Sequence, residues 1–180
     1  MNLMKDLPQP IIRSLQQKDI EVLADQYFPW TSRKETLEKW SRNLKEQKEG
    51  TRLSCIIEYQ NKIAGYGSLL QYSEYPIFRD KKILEINDVW VYDHYRKKGF
   101  GTCLISHLEK LAHNDQYTQI GIGVGLYRDY GAAQKLYFQL GYAPDGLGIT
   151  YKGKMGIPGE SYPLDDDLIL WLVKSLTRKQ

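Results

Sequence analysis

Apolar positions along the chain follow two periods, and the switches between them outline the elements. From Lys18, Ile20, Leu23, Ala24 and Tyr27 recur at helical spacing until Pro29 breaks the run. Thr31 and Ser32 are placed to cap a second helix carrying Thr36, Leu37 and Trp40, which Gly50 closes. The next stretches read as strands: "RLSCIIEY" (Arg52 to Tyr59), "IAGYGSLLQY" (Ile63 to Tyr72) and "ILEINDVWVY" (Ile83 to Tyr92). Gln60 to Lys62 forms the turn of a hairpin between the first two. Leu104, Ile105, Leu108, Leu111 and Ala112 then share one helical face, so a helix starts close to Phe100-Gly101. "YTQIGIGVGLY" (Tyr117 to Tyr127) is a strand, and Gly131 to Gly141 a helix ending on a glycine suited to a left-handed cap. A short strand within Pro8 to Leu15 opens the pattern. "ITYKG" and the apolar "DLILWLVKSL" close it, the latter in a central position. The glycine- and proline-rich stretch from Asp145 to Asp167 reads mainly as loops between late strands.

The order is strand, two helices, three strands, helix, strand, helix, two strands. This predicts a mixed α/β fold and, at 180 residues, one domain spanning 1–180. Composition fits an ordinary water-soluble chain, with 42% hydrophobic and 26% charged residues. No apolar run reaches the ~20 residues of a membrane helix. The N-terminus "MNLMKDLPQP" lacks the apolar core of a secretory signal. Cys55 and Cys103 read as small buried residues of a cytoplasmic protein, not as a disulfide framework. A net charge of +3 permits an acidic ligand without demanding nucleic acid. His94, His107 and His113 show no metal-ligand spacing with the cysteines or one another.

The most informative stretch is Arg96-Lys97-Lys98-Gly99-Phe100-Gly101, set between a strand and a helix. The first N–H groups of that helix lack internal partners and point back at the loop. Glycines let a ligand approach the backbone, and the helix dipole with three cations adds positive potential. These are the parts of a phosphate site. The P-loop string is absent, as is the third glycine of a dinucleotide fingerprint. By itself, R-x-x-G-x-G fits an anion cradle and a plain charged loop about equally.

With its context, the stretch resembles the GNAT superfamily of acetyl-CoA-dependent N-acetyltransferases. Their [QR]-x-x-G-x-[GA] signature lies between the fourth strand and third helix, and here "INDVWVYDHY" precedes it. Downstream, "AAQKLYFQLGY" matches the family's A-x-x-L-Y-x-x-x-G-[FY] helix. The resemblance implies a central, mostly antiparallel sheet of six to seven strands, flanked by about four helices and splayed between the fourth and fifth strands. It places the pyrophosphate of acetyl-CoA on Arg96, Lys97, Lys98, Gly99, Phe100, Gly101 and Thr102. Backbone contacts to the pantetheine and thioester carbonyl fall on Trp90 and Val91, with further cofactor contacts from Tyr130 and Ala133. Many members carry asparagine where Tyr130 stands. The glycines of "IGIGVGLY" suit a nearby cofactor or only relieve packing against a helix.

The resemblance implies direct attack of a primary amine on the thioester in a ternary complex. An amine of pKa ~10.4 is neutral in only about one molecule in a few thousand at pH 7, so removing its proton matters. Tyr137, at the family's L-Y position, is the candidate acid for the leaving thiolate; it also reads as a core aromatic beside Ala133, Leu136 and Leu140. Glu85 is the candidate base, directly or through water, and also reads as a strand-end carboxylate. Glu58 is a weaker candidate. Asp88 would face away from Glu85 on a regular strand. Asp165, Asp166 and Asp167 fit a solvated loop better than a trap for a cationic amine. Acceptor specificity falls to Asp25 to Arg42 and Asp145 to Tyr162, which leaves open whether the partner is a small-molecule or peptide amine. No metal, membrane or nucleic-acid partner is implied, and homodimers are common in the family. Two other classes compete: a non-catalytic acetyl-CoA-binding sensor, and a basic nucleic-acid-binding module.

Overall fold

The computed structural model describes residues 9–176. The signal-peptide reading and the start of the opening strand at Pro8 therefore fall largely outside the described residues. The elements are β1 (Ile11–Ser14), α1 (Asp19–Ala24), α2 (Arg33–Lys48), β2 (Arg52–Tyr59), β3 (Lys62–Leu70), α3 (Pro76–Asp80), β4 (Leu84–Val91), α4 (Phe100–Asn114), β5 (Gln119–Gly125), α5 (Gly131–Gln139), β6 (Ala143–Tyr151), β7 (Lys154–Met155) and β8 (Leu168–Ser175). The sheet order is β1-β2-β3-β4-β5-β8-β6-β7. The pairings β1–β2, β5–β8, β8–β6 and β6–β7 are antiparallel. β4 and β5 run parallel, in register over Leu84↔Ile120 to Ile86↔Ile122. This is the mixed, mostly antiparallel fold expected, with eight strands and five helices.

Two compact units divide the described chain: residues 9–69 with 88–107, and residues 70–87 with 108–176. In the first, sequence rules act locally. Ser32 caps α2 by accepting from the Glu35 N–H, while Glu35 accepts from the Ser32 N–H, a reciprocal capping box. Gln60 and Asn61 both take left-handed conformations (φ 52° and 60°), the geometry of a tight hairpin turn. Strand alternation then sorts side chains to two faces. Ile56, Ile63 and Tyr66 join Leu15, Ile20, Leu23, Trp40 and Leu44, with Trp90 and Tyr92 packed against them. Ile57 and Ala64 join Phe100 and Leu104, with Val91, Tyr59 and Tyr95 alongside.

The second unit is built around Tyr75, Phe78, Ile83 and Trp171. Tyr75 and Trp171 stack at 4.4 Å, and Phe78 meets Trp171 edge-on at 5.3 Å. Phe78 sits on α3, a helix of five residues that periodicity cannot detect; Pro76 in its first turn is its one local signal. A Cβ on Gly121 would lie 2.2 Å from Phe78 Cε2, and one on Gly125 would lie 2.5 Å from the Tyr130 ring. One on Gly123 would meet Ile169 and Trp171 at 3.0 Å. These strand glycines make room for the protein's own aromatic and branched side chains, which favours the packing reading.

The late region departs from the loop reading. Residues 143–151 form β6, which joins the Asp145 to Gly148 stretch read as loop to the start of the expected "ITYKG" strand; its register on β8 jumps between Pro144 and Ile149. Gly146 and Gly148 are left-handed there, so the strand has no clean period of two to read. β8 does lie inside the sheet, between β5 and β6. Cys103 is another correction: it is exposed, whereas Cys55 is buried. Leu104, Ile105 and Leu108 take the inner face of α4, and Cys103 turns outward with Thr102.

Candidate functional site

In the first unit, β4 leads through a single 3₁₀ turn, Asp93–Tyr95, into the loop before α4. Lys97 (φ 60°) and Gly99 (φ 81°) are both left-handed. Alternation of this kind turns successive N–H groups toward one side and forms an anion-binding concavity. The Cys103 N–H donates to the Gly99 carbonyl at 3.0 Å, so helical bonding starts at Gly99. The amides of Phe100, Gly101 and Thr102 are therefore first-turn donors. A Cβ at Gly99 would meet nothing within 4 Å, leaving the loop open on that side.

The side chains around this loop are anchored. Phe100 is buried against Tyr59 (ring centroids 5.2 Å) and Tyr95 (6.3 Å), so its backbone rather than its ring is presented. Lys98 Nζ lies 5.7 Å and 5.6 Å from the Tyr59 and Tyr95 rings. Arg96 turns back on β4: its Nε donates to the Val91 carbonyl at 3.0 Å, and its guanidinium sits 4.9 Å above the Trp90 ring. It also pairs with Asp93 at 3.1 Å. Lys97 and Thr102 are exposed. The structure thus gathers Trp90, Val91 and the whole 96–102 segment around the β4-to-α4 turn.

Asp88 interrupts β4 with a left-handed backbone (φ 55°). The face-alternation expected between Glu85 and Asp88 assumed a regular strand, and this residue breaks it. Its Oδ2 lies 2.7 Å from Lys39 Nζ, a half-buried ion pair. The Lys39 ammonium also lies over Trp40 (5.0 Å) and Tyr66 (5.1 Å). Burial, then the nearby Asp88 charge, drives the Tyr92 phenol well above its ordinary range. In front of β4, Phe28 stacks on Trp30 (4.7 Å, planes 7° apart) and meets Trp90 edge-on at 4.7 Å. Neither the ion pair nor this aromatic stack was read from the sequence. Their signals, a Phe-Pro-Trp run and a strand aspartate, carry no spacing that links them.

In the second unit, Glu85 is 4% exposed, not at a solvated strand end. Ser73 Oγ donates to its Oε2 at 2.5 Å, Asn87 Nδ2 to its Oε1 at 2.8 Å. Tyr137 is buried, and burial pushes its phenol up to about 12, so it stays protonated at neutral pH. Tyr137 and Tyr142 rings lie 6.2 Å apart. Tyr130 packs on Gly125 and donates to Asp166 Oδ1 at 3.0 Å; Tyr127 donates to the same oxygen. Asp165 accepts from Tyr151 at 3.2 Å. Asp165 and Asp166 thus tie their segment to tyrosines, while Asp166 and Asp167 stay exposed on a loop, as expected. Gln134 Nε2 donates to the Gly125 carbonyl at 2.7 Å, one residue from half-buried Ala133. Among the described residues no group of three or more His, Cys, Asp or Glu is placed to hold a metal. No described helix is long and apolar enough to cross a membrane.

A mixed sheet with a parallel β4–β5 pair, an irregular β4 and an amide-lined turn into α4 is an architecture found in acetyltransferases. The Acetyltransferase (GNAT) family model matches residues 18–142, and the chain belongs to this family. Solved structures agree on the fold. An N-acetyltransferase from Staphylococcus aureus Mu50 superposes with a TM-score of 0.68 at 16% identity, covering 94% of this chain and 100% of that one. The ribosomal L7/L12 alpha-N-protein acetyltransferase RimL, in complex with coenzyme A, gives 0.68 at 14% identity, covering 92% and 93%. The spermidine/spermine N-acetyltransferase SpeG from Vibrio cholerae gives 0.64 at 18% identity, covering 93% of each. No curated protein sequence matches the chain.

Proposed function

We propose that the chain moves the acetyl group of acetyl-CoA to a primary amine by direct attack, within a single acetyltransferase domain. The observation that carries this is the turn into α4, where left-handed Lys97 and Gly99 precede first-turn amides inside the matched family region. The amides of 99–102 hold the pyrophosphate, with Arg96, Lys97 and Lys98 supplying positive potential. Trp90 and Val91 present strand backbone to the pantetheine and thioester carbonyl. A fixed donor there stabilises the oxyanion as the amine attacks. The C–N bond forms first, giving that oxyanion, and the C–S bond breaks as the oxyanion collapses and the thiolate leaves.

Tyr137 protonates the departing thiolate from a buried phenol that is protonated at neutral pH. Glu85 takes the amine's proton through water, because Ser73 and Asn87 already occupy its oxygens. Tyr130 and Ala133 line the cofactor from the start of α5. The reading invokes no metal, membrane or nucleic acid. Two free cysteines suit the reducing cytoplasm, where we place the protein. A homodimer belongs to the same resemblance.

Gly101→Glu tests the pyrophosphate seat. It adds a like charge and bulk at the first helical turn, and acetyl-CoA binding measured by calorimetry is expected to vanish while the far-ultraviolet circular dichroism persists. Retained affinity would reduce the segment to a charged loop. Thiol release from acetyl-CoA with an amine panel separates the transferase from a sensor that only binds the cofactor.

A further inference from the structure

Of the groups assigned to the reaction, Glu85 has the least ordinary surroundings. It is 4% exposed, and Gly121, its in-register neighbour on β5, brings no side chain beside it. The Phe78 ring fills the space a Cβ at 121 would take, and Tyr75 and Trp171 complete that buried cluster. Burial of this kind disfavours the ionised form of a carboxyl, and the ionised form is the one a base needs. The charge therefore depends on donors close by. Ser73 is placed to be one. It is 2% exposed, and its Oγ donates to Glu85 Oε2 at 2.5 Å. The same Oγ accepts from the Tyr75 N–H at 3.0 Å. That bond takes a lone pair and leaves the single hydroxyl proton for the carboxylate.

The anchor is itself held. Tyr75 stacks on Trp171 at 4.4 Å, and its OH donates to Asp145 Oδ2 at 2.7 Å. A hydroxyl fixed in this way makes a charge-assisted bond to the anion, the stronger kind of hydrogen bond. Asn87 Nδ2 adds a second donor at Oε1, from a half-buried position. The other ionisable groups on the neighbouring elements are accounted for. Burial, then the bond to Asp145, drives the Tyr75 phenol well above its ordinary range, so it stays neutral through the neutral pH range. Asp145 also accepts from the Leu147 N–H, and Lys174 on β8 pairs with Glu109 at 2.7 Å. Glu74, Arg79, Asp80, Lys81 and Lys82 are exposed.

We propose that Ser73 is a positioning residue for the reaction: its hydroxyl, anchored by the Tyr75 N–H, holds the Glu85 carboxylate ionised and oriented within an apolar surround. This rests on Glu85 as the base, read above, and adds the group that keeps it one. Without that donor, burial is less opposed and the carboxylate binds a proton more tightly. The limb of the pH–rate profile that reports the base then moves to higher pH.

The experiment makes Ser73→Ala and Ser73→Thr in the full chain and reads two quantities. One is the pH profile of kcat/KM, followed as thiol release from acetyl-CoA. The other is the carboxyl titration of Glu85 by carbon-13 NMR of glutamate-labelled protein, assigned against Glu85→Gln. Ser73→Ala is expected to move the limb and the titration upward together by about one to two pH units, in line with one lost bond to a charged group. Ser73→Thr keeps the hydroxyl and should return both to wild-type values. If Ser73→Ala fails to fold by circular dichroism, Ser73→Cys keeps the volume but is a weak donor, and it should shift both the same way. An unmoved carboxyl titration overturns the inference, and a uniform loss of activity at every pH would then mark Ser73 as packing alone. A shift that folded Ser73→Thr does not reverse overturns it as well. A titration that moves while the limb stays put sinks instead the reading of Glu85 as base, and leaves the hold of Ser73 on its charge intact.

Discussion

Gly65 offers the sharpest test of how packing at β4 serves the reaction. Its position on β3 places a hypothetical Cβ 2.3 Å from the Trp90 carbonyl oxygen, 3.1 Å from Val91 Cα and 3.3 Å from Ile57 Cγ2. An ordinary carbon–oxygen contact is about 3.3 Å or more, so Gly65→Ala forces a displacement of roughly 1 Å. The obstacle is backbone on a neighbouring strand, which cannot swing away as a side-chain tip would. Overpacking of this kind costs about 1–3 kcal/mol, a roughly 5- to 160-fold change in the folding equilibrium. The displaced atoms belong to the two residues assigned to the thioester, and a misplacement near 1 Å can cost ~100-fold in turnover. Urea unfolding of Gly65→Ala should show the lost stability. Thiol release at saturating acetyl-CoA should show a kcat lower by more than the stability loss explains. A variant with wild-type midpoint and wild-type kcat would refute the argument. As a matched control, a Cβ on Gly131 meets nothing within 4 Å, and its backbone is helical (φ −56°). Gly131→Ala should therefore be neutral or stabilising by up to ~1 kcal/mol.

Two further tests address the proton transfers and pH. Tyr137→Phe should lower kcat by about 100-fold or more while the acetyl-CoA Kd holds, and Glu85→Gln should move the limb of the pH–rate profile governed by the base. Unchanged turnover in the first, or an unmoved limb in the second, removes that residue from the mechanism. Burial holds Tyr137 up at about 12, and the bond to Asp166, then burial, holds Tyr127 there too. Both exceed the unfolded value of ~10. Their stabilisation is thus complete below pH ~10 and is lost as pH rises through about 12. The urea midpoint should fall across that window, and a constant midpoint there would contradict the assignment.

The sequence revealed most where a rule acts over a few residues. Ser32 as a helix cap, the turn at Gln60-Asn61 and the helical face from Leu104 to Ala112 are each legible locally, and the structure keeps all three. The R-x-x-G-x-G segment was legible for the same reason, because an amide-lined turn depends on short-range backbone geometry. What stayed hidden depends on residues far apart in the chain. Nothing near Glu85 announces that Ser73 will donate to it, and nothing near Asp88 points to Lys39 on α2. The Phe28-Trp30 stack is visible as composition, but its contact with Trp90 spans some sixty positions. Residues 143–148 escaped, although the Ile149-Thr150-Tyr151 end of the same strand was legible, because a register jump and two left-handed glycines erase the alternation that marks a strand.

The glycine at position 121 carries a consequence for how this sequence can drift. Phe78 occupies the volume that a side chain at 121 would need, so the two positions share one allotment of space. Neither can grow unless the other shrinks, although forty-two residues separate them along the chain. Homologues should show this as reciprocal change: a larger residue in the strand accompanied by a smaller one on the short helix. Sequences that keep the phenylalanine should keep the glycine. Such paired substitution would mark the contact in an alignment even where every catalytic motif had diverged beyond recognition.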